Sequence, residues 1–308
     1  MTFMLSGAKK CEYTNASTTS LMDARTHKWS ERLLYACGVS PEIMPEIVMP
    51  GTVAGNLLPE IQAEVGFDCK VVYAASHDTG SAVVSVTEKD CIYISSGTWS
   101  LVGVELDGPD TSEEGRLMNF TNEGGIEGTT RFLKNICGLW LLERCRKEWT
   151  DAPKDVAQIV ADCQQAPAHQ SVINPDDPSF ANPPSMVNAI KEYCEKTGQH
   201  VPQDYKEMAR CIFESLALRY REVLGYLKEM APFEIEKLHV IGGGTYNEFL
   251  MQLTANAIGI PVVTGPVEGT AIGNIMLQAK AAGLVGDIYE MRSIIANSID
   301  LKTYMPQG

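Results

Sequence analysis

An α/β fold is predicted by three features of this 308-residue sequence. The C-terminal third alternates. The apolar run Leu238-His239-Val240-Ile241 leads into Gly242-Gly243-Gly244, a helical stretch from about Asn247 to Gly259, the run Pro261-Val262-Val263, and a second helical stretch from about Thr270 to Gly283. Strand, glycines, helix, strand and helix in that order point to an α/β layer arrangement. Upstream, short apolar runs at 71–75, 91–95 and 101–106 read as strands, the last two joined by a turn at Ser96-Gly97-Thr98. Third, the chain is 44% hydrophobic and 21% charged, which fits a globular protein with a sizeable core, long enough for about two domains.

Taken in order, Met1-Thr2-Phe3-Met4-Leu5 is an apolar start that reads as the middle of a helix begun earlier. The hydroxyl- and amide-rich run Glu12 to Thr19 reads as a loop or helix entry. Trp29 to Cys37 carries Leu33, Leu34 and Cys37 at helical spacing and stops at Gly38. Prolines at 41, 45, 50 and 59 make that stretch mostly irregular. Arg131 to Trp149 is predicted as a helix, with Leu133, Ile136, Cys137, Trp140 and Leu141 on one side. Five prolines between 167 and 185 mark a surface excursion. Tyr205 to Met230 is a long amphipathic helix through Met208, Ile212, Leu216, Val223 and Leu227.

The formal net charge of -14 argues against nucleic acid or a membrane surface as partner, since both are polyanions. An anionic small molecule could still bind through local donors, helix N-termini or a divalent cation. Nine cysteines, an odd number with no Cys-x-x-Cys pair, read as reduced, largely buried thiols of a cytoplasmic protein. Five scattered histidines form no metal-ligand spacing. No apolar run is long enough to span a membrane.

Chemistry concentrates between Ala74 and Ser100. A His77-Asp78-Thr79-Gly80 turn follows one apolar run, and Ser95-Ser96-Gly97-Thr98-Trp99-Ser100 follows the next. Carboxylate and imidazole at one strand end, with a Ser/Gly/Thr turn at another, suit a base and a phosphate grip. Two ordinary turns between core strands would look the same. Asp78-Thr79-Gly80-Ser81 also matches the aspartic-protease turn, but that mechanism needs a second carboxylate copy, which the sequence lacks. Gly242-Gly243-Gly244-Thr245-Tyr246-Asn247 is neither Gly-x-Gly-x-x-Gly nor a Walker A loop; it suits a nucleotide contact or a tight strand-to-helix turn. Thr121-Asn122-Glu123-Gly124-Gly125 could line a polar pocket or cap the helix expected after it.

Two sets of residues go further. One is the spaced pattern Gly242-Gly243-Gly244, Asn247, Gln252, Ala255, Gly259-Ile260-Pro261-Val262, Glu268, Ala271 and Gly273. The other comprises Glu12 to Thr19, Ala75 to Thr79, Ser95 to Leu101, Thr121 to Gly125, Leu133-Lys134-Asn135 and Gly138 to Leu142. Together they resemble the FGGY family of carbohydrate kinases, and within it the branch acting on L-rhamnulose. The resemblance implies an actin/hexokinase-like (ribonuclease H-like) ATPase fold with the active site in a cleft between two α/β domains. Residues 1–87 would be the end of the N-terminal sugar-binding domain, and 88–308 the C-terminal nucleotide-binding domain.

The implied reaction transfers the ATP γ-phosphoryl, with Mg²⁺, to the 1-hydroxyl of L-rhamnulose. By the same resemblance Asp78 is the base that accepts the hydroxyl proton, and His77, Thr79 and Asn135 join it as substrate contacts. Thr98, Glu143 and Gly243 are the ATP contacts. Glu143 departs from the family pattern, where glutamine is expected. The resemblance further implies about 160 residues ahead of Met1, carrying an Asp-x-Gly hairpin for Mg²⁺ and phosphates. Without them the chain is expected to be a poor kinase by itself, or a non-catalytic nucleotide-binding remnant.

Overall fold

A computed structural model describes residues 1–307. The chain forms two compact units: Met1–Lys89, Val104–Leu133 and Glu268–Asp300 make the first, and Asp90–Gly103, Lys134–Val267 and Leu301–Gly308 make the second. The family-implied division at residue 87 follows the chain linearly, whereas these units interleave.

In the first unit, Lys70–Tyr73 pairs antiparallel with Thr52–Asn56. After it comes a short helix, Asp78–Val83, all of whose residues beyond Asp78 are buried. It packs on the helix Gly269–Ala281. Around this pair Ala75, Val84, Ile126, Met276, Leu277, Ile288, Met291 and Ile295 form a hydrophobic core. Two glycines make the close helix approach possible. A Cβ on Gly269 would sit 2.7 Å from Ser85 Oγ, and one on Gly273 would sit 2.7 Å from the Ser81 carbonyl carbon. Gly273→Ala should therefore destabilise by about 1–3 kcal/mol through overpacking, more than the ~1 kcal/mol that alanine gains in helix propensity. Gly225→Ala, in the Tyr205–Met230 helix with nothing within 4 Å, should instead raise stability. Urea midpoints of the two variants should move in opposite directions.

The second unit contains most of a mixed parallel and antiparallel sheet. Lys302–Tyr304, Val262–Thr264, Leu238–Ile241, Ile92–Ser96, Trp99–Leu106 and Thr130–Cys137 follow one another across it. Leu238 pairs in parallel with Val262 on one side and Ile92 on the other, and Val262 pairs antiparallel with Tyr304. Leu238–Ile241 is buried throughout. Strands covered on both faces read as continuous apolar runs, which is how this one appears in sequence. The Tyr205–Met230 helix packs on Glu248–Ile258 and Val156–Cys163. Asp204 caps it by accepting from the Lys206 and Glu207 amides, and Pro232 follows its last turn.

One expected element is different. Residues 131–149 are not a single helix: Thr130–Cys137 is a strand, and only Trp140–Arg146 is helical. Every residue of that strand except Asn135 is buried, so it shows no two-residue alternation. Its apolar positions imitate helical spacing instead. In the first unit, Thr121–Gly124 pairs antiparallel with residues 130–133 of this strand, so it caps no helix.

Candidate active site

In the first unit the site is built around a buried carboxylate. Glu12, 4% exposed, ends a two-residue strand and caps the helix Tyr13–Ser17 by accepting from the Thr14 and Asn15 amides. Its Oε2 also accepts from the Thr14 hydroxyl at 2.6 Å, the Ser76 amide at 2.9 Å and the Ser76 hydroxyl at 2.8 Å. Thr14 Oγ1 in turn accepts from the His77 amide at 3.1 Å. A carboxylate this well supplied with donors fixes the backbone on which His77 and Asp78 stand.

The His77 ring lies between two environments. Nδ1 is 2.9 Å from Arg131 Nη2 and 3.3 Å from Glu123 Oε2, while Nε2 is 3.8 Å from Asp78 Oδ1. Arg131 is fully buried; its Nε donates to the Gly124 carbonyl at 2.9 Å and its Nη1 is 3.2 Å from Glu123 Oε2. Burial, and then the Arg131 guanidinium, push the His77 imidazole below its ordinary value of 6.5; Glu123, Asp78 and Glu12 pull the other way. Asp78 is the first residue of its helix and its side chain is 79% exposed. Its Oδ1 accepts from the Thr79 amide at 2.7 Å, which orients the carboxylate and leaves Oδ2 without a partner among the described residues. Thr79 itself is buried, with its hydroxyl 3.4 Å from Asp78 Oδ1.

In the second unit the nucleotide candidates converge on the carboxyl ends of two parallel strands, Ile92–Ser96 and Leu238–Ile241. Such strand ends are where ligands bind in open α/β sheets. The turn Gly97-Thr98 follows the first strand and Gly242–Gly244 follows the second. Ser96 joins them, because a Cβ on Gly242 would lie 2.8 Å from the Ser96 carbonyl oxygen, and one on Gly244 would lie 2.7 Å from Ser96 Cβ. Gly242 also has φ +91, a conformation that favours glycine. Packing therefore explains the outer two glycines. Gly243 is exposed and its added Cβ meets nothing within 4 Å, so no internal contact requires glycine there.

The same turn holds the start of the Trp140–Arg146 helix. The Thr98 carbonyl accepts from the Gly138 and Trp140 amides, and the Gly97 carbonyl accepts from the Leu139 amide at 3.0 Å. A Cβ on Gly138 would lie 2.8 Å from Gly97 O. Thr98 is thus presented outward beside the helix that carries Glu143. Glu143 is bonded to Arg146 at 2.7 Å, which offsets part of its negative charge. Asn135 is exposed on the strand Thr130–Cys137 rather than on a helix. Among the predicted residues, His77, Asp78 and Thr79 come together in one unit; in the other, Thr98 and Gly243 lie on the turns after neighbouring parallel strands, and Glu143 lies on the helix whose start the Thr98 turn holds. Sequence reasoning missed Arg131 and the bracing role of Glu12. An arginine opening the apolar run Arg131-Phe132-Leu133 was the available signal, since a buried charge must be paired.

Sequence comparison decides the family. Residues 92–282 match the C-terminal domain of the FGGY family of carbohydrate kinases, and residues 1–85 match its N-terminal domain. The chain belongs to this family. Its FGGY relatives include the rhamnulokinase of Bacteroides thetaiotaomicron, 51% identical over 310 residues, covering 100% of this chain and 64% of that protein. The rhamnulokinase of Oceanobacillus iheyensis is 42% identical, covering 99% of this chain and 64% of the relative. The chain therefore spans less than two thirds of the length of these relatives. Among solved structures, the gluconate kinase of Lactobacillus acidophilus superposes with a TM-score of 0.77 at 20% identity, over 99% of this chain and 61% of that one. The glycerol kinase of Plasmodium falciparum, solved with ADP, gives 0.73 at 16% identity, over 99% and 61%. The FGGY fold of this chain is the actin/hexokinase-like α/β fold of these sugar kinases.

Proposed function

We propose that this chain carries the catalytic base, part of the sugar contacts and the nucleotide-facing turns of an ATP-dependent L-rhamnulose kinase, with residues 1–87 belonging to the sugar-binding domain and 88–308 to the nucleotide-binding domain. The 51% identity to a rhamnulokinase across the whole chain carries the substrate assignment. The FGGY family gives the reaction class. Nine free cysteines suit a reducing compartment, and we place the protein in the cytoplasm.

In this reading the sugar 1-hydroxyl lies within hydrogen-bond reach of Asp78. As its oxygen bonds to the γ-phosphorus and the bond to the bridging β,γ-oxygen breaks, the hydroxyl proton passes to the Asp78 carboxylate and ADP leaves. The Thr79 amide keeps one carboxylate oxygen engaged, so the other faces the hydroxyl. Thr79, His77 and Asn135 contact the sugar. Thr98 and the exposed backbone at Gly243 meet the phosphates and nucleotide, where a side chain would obstruct close approach. Glu143 accepts from ribose hydroxyls.

Among the described residues no three His, Cys, Asp or Glu side chains converge to hold a metal ion. Mg²⁺ enters this reading with ATP, as part of the MgATP substrate. From this chain, backbone donors at the two glycine-containing turns contribute to charge stabilisation.

The test is ADP release with MgATP and L-rhamnulose, measured on the 308-residue chain and on a fusion that adds the segment of the Bacteroides relative this chain does not match. We expect L-rhamnulose-dependent turnover by the fusion, and less by the chain alone. Turnover by the fusion with glycerol or xylulose in preference to L-rhamnulose would move the substrate elsewhere in the family. Silence with every sugar would favour a nucleotide-binding role without transfer.

A further inference from the structure

The contacts of His77 settle a question that its position alone leaves open. A guanidinium has five N–H donors and no acceptor. With Arg131 Nη2 2.9 Å from Nδ1, that ring nitrogen can only be accepting. A proton on Nδ1 would set two N–H groups against each other. Glu123 Oε2 is 3.3 Å from the same nitrogen, but it makes no hydrogen bond, and its charge is matched by Arg131 Nη1 at 3.2 Å. The single in-plane lone pair of Nδ1 is therefore used by Arg131, and the ring proton resides on Nε2.

We propose that Arg131 is a positioning residue that holds His77 as the neutral Nε2–H tautomer, so that the ring presents a fixed hydrogen-bond donor beside Asp78 to an oxygen of the sugar. The proposal rests on reading His77 and Asp78 as the sugar-binding pair. Geometry supports it at both ends. Arg131 cannot rotate away: it is fully buried and anchored through Nε to the Gly124 carbonyl. The backbone of His77 is held by Thr14, and its ring by the Arg131 contact at Nδ1. Nε2 lies 3.8 Å from Asp78 Oδ1, too far for a hydrogen bond between them. A ligand hydroxyl between the two could accept from Nε2–H through its oxygen while donating its own proton to Asp78. The pair would then distinguish an oxygen with both a lone pair and a proton from one without.

The arrangement also keeps the ring uncharged. The charged or titratable groups around it are Glu12 ahead of the Tyr13–Ser17 helix, Asp78 on its own helix, Glu123 on the Thr121–Gly124 strand, and Arg131 on the strand beside that one. Burial and Arg131 outweigh the three carboxylates. An unperturbed histidine changes charge between about pH 5 and 8. With its value lowered, the His77 ring stays neutral to a lower pH than an unperturbed histidine.

The test uses the 308-residue chain labelled with ¹⁵N-histidine, the His77 signals being assigned by their loss in His77→Gln. Long-range ¹⁵N–¹H spectra at pH 7 should show a neutral ring protonated on Nε2, with a midpoint below 6.5. A ring protonated on Nδ1, or an imidazolium at pH 7, overturns the proposal. Arg131→Met paired with Glu123→Leu removes the donor together with its counter-ion, and thus avoids leaving one buried charge alone. In that double variant both tautomers should appear; a ring still protonated on Nε2 alone would refute the role of Arg131. In the active fusion the same variant should raise KM for L-rhamnulose about tenfold, the scale of one lost hydrogen bond, and change kcat less. A fusion without L-rhamnulose turnover would sink the substrate reading, while the tautomer result would stand or fall separately.

Discussion

Asp78→Asn in the fusion should lower phosphoryl transfer by about 10²–10⁴-fold, the usual contribution of a positioned general base, while leaving the unfolding midpoint almost unchanged. The two expectations separate because of where the side chain stands. Asparagine keeps the size of aspartate and an Oδ1 that can accept from the Thr79 amide at 2.7 Å, so the start of the Asp78–Val83 helix keeps its local bond. The side chain is 79% exposed, and substitutions at such positions usually shift stability by less than about 0.5 kcal/mol. What the amide cannot do is take a proton. Single-turnover measurements at saturating MgATP would isolate the chemical step, and the KM for ATP should be little altered, since Asp78 belongs to the sugar contacts. A loss smaller than about threefold would remove Asp78 from the chemistry, since even weak general bases contribute more than that.

That prediction draws on residues adjacent in sequence, and this explains why part of the site was legible before the fold was known. His77, Asp78 and Thr79 are consecutive, and Gly97-Thr98 and Gly242–Gly244 announce themselves as turns after apolar runs. The Tyr205–Met230 helix was equally plain, because its apolar period is long and Asp204 marks its start. Residues 131–149 misled for a physical reason. A strand buried on both faces has no alternation to display, and Leu133, Ile136 and Cys137 then fall at intervals that a helix also allows. Asp78–Val83 reads as a turn because Thr79, Gly80 and Ser81 are poor helix formers; packing against Gly269–Ala281 makes it helical. The least legible partners are the distant ones. Glu12 meets Ser76 across 64 positions, and Arg131 meets His77 across 54, so nothing local reveals either contact.

Arg131→Met alone should cost about 3–5 kcal/mol of stability, because it strands a nearly buried carboxylate without its counter-charge. Glu123 has a side chain only 10% exposed, and Arg131 has none of its side chain exposed. Removing Glu123 alone, as Glu123→Leu, should be similarly costly, since it leaves the guanidinium with neutral partners, Gly124 and His77, and no close counter-charge. Removing both should recover at least half of either loss, because no charge then remains buried unpaired. Urea unfolding of the three variants and the parent chain gives the coupling directly. Its size carries meaning beyond stability. A large recovery would mean that the ion pair is nearly dispensable to the fold, so that its place beside His77 needs another reason, which the tautomer argument supplies. A double variant as unstable as the worse single one would mean that Arg131 is held chiefly by the hydrogen bonds it gives Gly124 and His77, and that its role is to brace the loop as much as to set the proton.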